Sequence, residues 1–290
     1  MNHQGLETEQ SAGVHAARGS VREGLAALQN FETLLRSPRV GPRSIGKMVG
    51  ELRGSCEPIA HALGTLIDDI ALREPSEAVA FQLADCARSS MQQLGEALVR
   101  ADRREFGAKA RLALESDVRR VSGELGTLRA LIELLDAATC ARATELEARE
   151  LLEASVNAIA LSSGPRANSR VVEVLAAAPA HWFSVTADPR VAMQLLGIGI
   201  GLMAATGAPC VSVQPSVQQD RAVFELSATD RGDDAVACAA PSIIGPSAEV
   251  ASVASRVVGA TFSVHATGCA LSLPLASTSA SLLPAPRARA

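Results

Sequence analysis

The spacing of apolar residues changes from a helical period to an alternating one near residue 160. Before that point large apolar residues recur every three or four positions, as in Leu25, Leu28, Phe31 and Leu35, which is the pattern of an amphipathic helix. The pattern predicts helix over most of 14–156. Turn residues at 37–42 and 74–75, with a further break near 101–103, divide this region into two helix pairs, 14–72 and 75–153. Pro58 lies inside the second helix and predicts a kink or a restart there.

After residue 160 the chain alternates short strands with helices. Alternating apolar residues predict strands at 182–185, 211–213, 223–226, 262–264 and 271–273. Helices are predicted at 188–206 and 246–258, so this half forms a mixed α/β layer. The fold class is therefore α+β, with antiparallel helical hairpins that form a four-helix bundle, followed by an α/β sandwich. The predicted domains are a flexible N-terminus (1–13), two hairpins (14–72 and 75–160), the sandwich (161–275) and a disordered tail (276–290).

Composition excludes several classes of function. Aromatic residues make up 2% of the chain and Tyr is absent, so base-stacking platforms for nucleic acid are not expected. The net charge of −4 gives no general attraction to nucleic acid or to anionic lipid. The six cysteines form neither a CxxC pair nor a cluster with His. We therefore expect free thiols, no metal site and a reducing, cytoplasmic location.

One uncharged stretch has to be weighed as a membrane span. No Asp, Glu, Lys or Arg occurs in 191–219. A transmembrane helix needs about 20 mostly apolar residues, whereas Gln194, Thr206 and Pro209 interrupt this run. We expect a buried helix followed by a strand, and no membrane span.

Two short segments of the helical half occur twice. The sequence HAARGS at His15–Ser20 aligns with DCARSS at Asp85–Ser90, seventy residues later, and LGTL occurs at both 63–66 and 125–128. An internal duplication would produce such matches. Chance agreement would produce them as well, because both segments lie in helices that are rich in Ala and Leu.

The second half contains several motifs in a fixed order. Asp188-Pro189-Arg190 is followed by Gln194-Leu195-Leu196, and Asp230-Arg231-Gly232 stands at a strand end. A helix that ends at Gly259, a strand at 261–264 and a closing Leu-Ser-Leu-Pro-Leu at 271–275 follow. This order, over about 75–275, resembles the sensor histidine kinases, which join a dimerisation and phosphotransfer hairpin to a GHKL-type ATPase domain. The resemblance implies that the sandwich has the fold of the histidine kinase ATP-binding domain.

Two positions that the family uses for magnesium–ATP carry different residues here. The resemblance implies two Asn side chains for the magnesium–ATP complex, and Ile198 and Leu202 stand in their places. Magnesium needs oxygen ligands, which aliphatic side chains lack. Of the adenine motif, Asp230 and Gly232 remain as a vestigial cofactor-binding pair, and Asp230 also fits a plain turn or cap residue. We expect no cofactor, no metal and neither ATPase nor autokinase activity.

The position at which the family carries its phosphate-accepting histidine holds no histidine here. The resemblance places the family's histidine near Asp85, and an Asp cannot form a phosphohistidine. His15, in His-x-x-Arg, and His61, in His-x-Leu-x-Thr, are the alternative catalytic candidates. A neutral imidazole on a helix face is sufficient when the partner supplies the magnesium and the acidic groups. For each histidine, a helix residue without catalytic function is the competing interpretation.

These features predict a degenerate histidine kinase or histidine phosphotransferase in two-component signalling. It would bind a response-regulator receiver domain and either relay phosphate through a histidine or act as a non-catalytic adaptor or inhibitor. An active kinase is a weaker third hypothesis. The four-helix bundle forms either by homodimerisation or from the two hairpins of one chain. Small residues at 16–20 and at 86–90 are either a docking face for the receiver or helix-packing residues.

Overall fold

The chain forms two compact units, Met1–Ile132 and Glu133–Ala290. The computed structural model describes residues 3–73, 77–102, 107–162, 171–179, 181–229, 236–239 and 245–276. Four long helices make up the first unit: α1 (His3–Arg36), α2 (Pro42–Arg73), α3 (Glu77–Asp102) and α4 (Ala108–Thr139), the last of which continues into the second unit.

Apolar residues on one face of each helix form the core of the first unit. Leu28 and Phe31 of α1, Leu63 of α2, Leu94 of α3 and Leu125 of α4 are buried. Burial of such a side chain stabilises the fold by about 1.5–3 kcal/mol. The break predicted at 37–42 separates α1 from α2. Of the break predicted at 101–103, residues 101–102 are helical and residue 103 lies outside the described residues. The turn predicted at 74–75 lies outside the described residues.

The four helices close into a bundle within one chain. Helix α1 packs along α2, and α2 packs along α3. Ser90 of α3 donates to Glu124 of α4 at 2.8 Å, and Arg36 of α1 donates to Glu115 of α4 at 3.0 Å. Each helix therefore contacts the next, and the last contacts the first, in the up-down order of an antiparallel bundle. A second copy of the chain is not needed to complete it.

An ion network joins α1 to α4 near the α1–α2 turn. The carboxylates of Glu32 and Glu115 both accept hydrogen bonds from Arg36 and Arg119. Arg111 donates to four backbone carbonyls at the end of α1 and in the turn, those of Leu34, Leu35, Ser37 and Val40. The last carbonyls of a helix lack partners within it, so Arg111 caps α1 and ties it to α4.

Helix α2 continues through Pro58, so the predicted restart does not occur. Proline removes one backbone donor from the helix interior, which leaves the carbonyl of Gly54 without its usual partner. Pro58 and Gly54 are both exposed, so water can satisfy that carbonyl. The packing of the buried face, with Ile59 and Leu63, then keeps the helix continuous.

The second unit begins with the end of α4 and continues with strands and three further helices. In order, the described elements are β1 (Thr144–Glu147), α5 (Ala148–Ser162), β2 (Val171–Ala176), β3 (Ser184–Ala187), α6 (Pro189–Ala205), β4 (Cys210–Gln218), β5 (Arg221–Thr229), β6 (Val236–Ala239), α7 (Ser247–Val257), β7 (Thr261–His265) and β8 (Gly268–Pro274).

Six of these strands form one mixed sheet in the order β6-β2-β4-β5-β8-β7, and β1 pairs with β3. Strands β2 and β4 are parallel, and the other neighbours are antiparallel. In β5, Ala222, Phe224 and Leu226 are buried and alternate with residues of the other face. Helices α5, α6 and α7 contact one another in that order and pack against the sheet. The unit is an α/β sandwich, as the sequence predicts.

The largest difference from the sequence prediction is the border between the units. It falls between Ile132 and Glu133, whereas the predicted domains meet at 160. Helix α5 contacts α6 and β6 and belongs to the sandwich. Helical periodicity reveals that a segment has one apolar face, but it does not reveal which core that face joins.

The termini and the strands differ as well. Helix α1 starts at His3, inside the segment that the sequence predicts as flexible. The predicted strand at 182–185 lies two residues further on, as β3. Strands β1, β2 and β6 were not predicted. Residues 277–290, which make up nearly all of the predicted tail, lie outside the described residues.

Candidate functional site

Both candidate histidines stand on the surface of the bundle. His15 lies on α1 and His61 on α2, and both are exposed. Among the described residues, neither imidazole has a hydrogen-bond or ion-pair partner. A methyl group on Gly24 of α1 would overlap Ile59 of α2, which fixes the register of these two helices. In that register Arg22 is at the same height along the helix pair as His61. His15 precedes Arg22 by seven residues in α1, so the two histidines are about 10 Å apart along the helix axis.

The surroundings of His15 consist of small residues. Ala16 is exposed and Gly19 is half-buried, and a Cβ added to Gly19 would meet no atom within 4 Å apart from its neighbours and the backbone of its own helix. Ser20 donates back to the carbonyl of Ala16 at 3.2 Å. Ala17, at 6% exposure, is the residue of this segment that faces the core. This group of small side chains therefore leaves the imidazole open to an approaching partner.

The matching segment on α3 is exposed at different positions. Asp85, Arg88 and Ser89 are exposed, Cys86 is half-buried, and Ser90 is buried. Ser90 donates to Glu124 of α4. In the first segment, by contrast, Ala16 is exposed while Gly19 and Ser20 are half-buried. The two small-residue segments are therefore both accessible, each at its own positions.

His61 has a different set of neighbours on its own helix. Thr65 donates to the carbonyl of His61 at 3.1 Å, one turn further along. One turn before His61, the side chain of Glu57 is exposed on the same face. A carboxylate one helical turn from the imidazole repels a phosphoryl group that approaches it.

Asp188 is the N-cap residue of α6 and is 4% exposed. Its carboxylate accepts from the backbone N–H groups of Arg190 at 3.0 Å and Val191 at 3.3 Å, and from Arg142 N–H at 3.0 Å. Burial by itself raises the pKa of Asp188, but the three backbone donors outweigh it and lower the pKa. Asp188 thus caps α6 and holds the segment after α4. The Asp-Pro pair is a helix-start signature, and it stands where the sequence predicts the helix over 188–206 to begin.

The face of α6 where the resemblance puts magnesium–ATP is aliphatic. Gln194, Ile198 and Leu202 follow one another at four-residue intervals, share one face and are half-buried. The amide oxygen of Gln194 is buried and has no hydrogen-bond partner in the described part of the chain, so this face offers one oxygen and two hydrocarbon side chains. Magnesium demands near-octahedral oxygen coordination, and these residues do not fit it. Asp230 and Gly232 lie outside the described residues.

The opposite face of α6 packs tightly on the sheet. A Cβ on Gly199 would be 3.2 Å from Cys269 Sγ and 3.2 Å from a methyl carbon of Leu226. Gly199 therefore serves close packing. No helix in the described ranges combines the length and apolar character that crossing a membrane requires.

The described side chains offer neither a metal-ligand cluster nor a thiol with a lowered pKa. No three His, Cys, Asp or Glu residues come together there as a metal site would need. Cys56, Cys86, Cys140, Cys210 and Cys269 are free thiols. Burial raises the pKa of the Cys269 thiol to about 12 and also raises those of Cys56 and Cys86. These three thiols stay protonated near neutral pH and are poor nucleophiles.

The comparisons with known proteins find histidine kinases among solved structures. A histidine kinase AdeS from Acinetobacter baumannii is similar with a TM-score of 0.40 and 13% identity, over 66% of this chain and 95% of that one. A histidine kinase from Burkholderia phymatum is similar with a TM-score of 0.32 and 17% identity, over 69% of this chain and 98% of that one. No protein-family profile and no curated protein matches the sequence. At these values the function has to be argued from the residues of this chain.

Proposed function

We propose that this protein is a histidine-kinase-like signalling protein that does not use ATP. It binds response-regulator receiver domains on its helical bundle and relays phosphate through a bundle histidine. The observation that carries this proposal is the pair of exposed imidazoles, His15 and His61, on a four-helix bundle that one chain completes. The aliphatic residues Ile198 and Leu202 on α6 support the part of the proposal that excludes ATP chemistry.

The transfer needs little from the bundle beyond an accessible nitrogen. The lone pair of a neutral imidazole nitrogen forms the P–N bond with the phosphoryl group of an aspartyl phosphate. The acyl P–O bond breaks, and its electron pair returns to the partner's carboxylate. The proton on the other ring nitrogen passes to water. A magnesium ion bound to the receiver would neutralise the phosphoryl oxygens.

A second candidate function is that of an adaptor or inhibitor that binds a receiver without moving phosphate. One observation favours it: among the described residues, no carboxylate or carbonyl holds the imidazole of His15 or His61 in a defined tautomer. Catalytic histidines are usually oriented in this way by a hydrogen bond at the second nitrogen. The two candidates predict the same complex and differ in whether phosphate moves.

A transfer assay separates these functions. Receiver domains from the same genome are purified, charged with [³²P]acetyl phosphate and mixed with the full chain. We expect one of them to transfer label that is stable to base and labile to acid, as a phosphohistidine is. A variant with both His15→Asn and His61→Asn should bind that receiver and remain unlabelled. A stable complex without label would establish the adaptor, and no complex with any receiver would refute both functions.

A further inference from the structure

We infer that the two hairpins of the bundle are copies of one ancestral hairpin, and that His15, the counterpart of Asp85, is the residue that accepts phosphate. This inference rests on the proposed function, since it names which of the two exposed histidines is the acceptor. The short sequence matches leave duplication and chance open. The structure adds agreements in burial and in hydrogen bonding.

The first agreement is in burial. Ala17 and Ala87, the third residues of the matched segments on α1 and α3, are buried at 6% and 7% exposure. His15 and Asp85, the first residues, are both exposed. In the LGTL segments of α2 and α4, both leucines are buried and the Gly-Thr pair between them is half-buried in each copy. These matched residues therefore take the same face of their helices, whereas Ser20 is half-buried and its counterpart Ser90 is buried.

The second agreement is in hydrogen bonding. Thr65 of α2 donates to the carbonyl of His61 at 3.1 Å. Thr127 of α4 donates to the carbonyl of Gly123 at 3.0 Å. The same side chain makes the same bond in both copies, and the pairing also shows that His61 corresponds to Gly123. Gly123 is buried, so the surface around His61 is not shared by the second hairpin.

The spacing of the two matches is also informative. Ser20 lies forty-three residues before Leu63, whereas Ser90 lies thirty-five before Leu125. The difference of eight residues is about two helical turns. A loss of one turn from each arm of the second hairpin accounts for this difference and keeps the two arms paired.

The duplication distinguishes the two histidines. Both copies have an exposed polar residue that is followed three residues later by an arginine. The pair is His15 with Arg18 in the first copy and Asp85 with Arg88 in the second. In the second copy these residues form an ion pair at 3.7 Å. His15 can accept phosphate on nitrogen, whereas Asp85 has no nitrogen to offer. We therefore expect each chain to carry one phosphate, although positions 15 and 85 of the bundle are equivalent.

The test uses full-length variants and the receiver that labels the wild-type chain. We expect His15→Asn to lower the rate of labelling at least 50-fold and His61→Asn to leave it within twofold. If positions 15 and 85 are equivalent, Asp85→His in the His15→Asn background should regain labelling, whereas Gln92→His, an exposed position on the same helix, should not. Circular dichroism melts verify that each variant is folded.

The outcomes are distinct. Labelling that persists in His15→Asn and is lost in His61→Asn overturns the inference and leaves the proposed relay intact. Loss of label in His15→Asn without recovery by Asp85→His overturns the equivalence of the two hairpins. No transfer to the wild-type chain overturns the relay, and the assignment of His15 with it.

Discussion

The two units use their polar groups in different ways. In the bundle, the imidazoles of His15 and His61 stand on the surface without partners among the described residues. In the sandwich, buried polar groups such as Asp188 and Ser255 are bound to backbone: Asp188 caps α6, and Ser255 Oγ accepts from Phe262 N–H at 3.0 Å. Asp188 and Ser255 thus hold the fold of the sandwich, whereas the imidazoles of His15 and His61 form no bond that holds the described part of the bundle. The sandwich exposes imidazoles as well, those of His181 and His265.

The largest expected effect comes from a positive charge placed on α1, either on its buried face or on its outer face. Ala17→Arg puts an unpaired cation into the core, which we expect to cost about 3 kcal/mol or more and to unfold the first unit. Gly19→Arg, two residues away at a half-buried position with open space around its Cβ, should leave the unit folded. Because it removes a glycine from a helix interior, it should raise the free energy of unfolding by up to about 1 kcal/mol. Urea denaturation followed by circular dichroism measures both.

The Gly19→Arg variant also tests the docking face. If the receiver binds around His15, this folded variant should lose the complex, because a blocked interface centre costs ~2 kcal/mol or more. A Gly19→Arg chain that unfolds would show that the small residues pack inside the bundle. A chain that is folded and binds normally would place the receiver elsewhere.

The ion network between α1 and α4 should matter more than the exposed pairs beside it. Arg119→Ala leaves the carboxylates of Glu32 and Glu115 largely buried with fewer partners, and we expect a loss of about 2–3 kcal/mol. Arg120→Ala removes an exposed pair with Glu124, which contributes about 0–1 kcal/mol. Chemical denaturation of the two variants side by side decides this, and equal losses would contradict it.

In the sandwich, the corresponding test is the cap of α6. Asp188→Ala removes the acceptor for three backbone N–H groups and should destabilise the second unit by about 2 kcal/mol. Asp188→Asn keeps an acceptor oxygen and should lose less. Because the pKa of Asp188 is lowered in the folded chain, its stabilisation is present above the pKa of an unfolded Asp, about 3.9, and is lost as the pH falls further.

The measurement for Asp188 is the difference in unfolding free energy between wild type and Asp188→Asn as a function of pH. The difference should be constant near neutrality and shrink as the pH falls below about 4. A difference that grows on acidification would mean that the carboxylate is not the stabilised form, and the role of the three backbone donors would be wrong.

The sequence predicts those features that depend on local periodicity. The exposure of His15 follows from its phase between the buried Val14 and Ala17, and the strands β4, β5, β7 and β8 follow from alternation. Long-range pairings are a different matter. Strand β1 (TELE) has no alternating apolar residues and exists because it pairs with β3. The network of Arg111, Arg119 and Glu32 joins residues more than seventy positions apart, which no local pattern reveals.

The smallest expected effect is that of magnesium–ATP on the sandwich. A ligand at 100 times its Kd stabilises the folded state by about 2.7 kcal/mol, so 1 mM nucleotide with a Kd of roughly 10 μM would raise the melting temperature by several degrees. Because Ile198 and Leu202 offer no oxygen to magnesium, we expect a shift below about 1 °C. Calorimetric titration with and without EDTA should agree. Saturable, magnesium-dependent heat with a Kd in the micromolar range would mean that the sandwich retains a nucleotide site. Both units would then carry functional groups that bind a ligand.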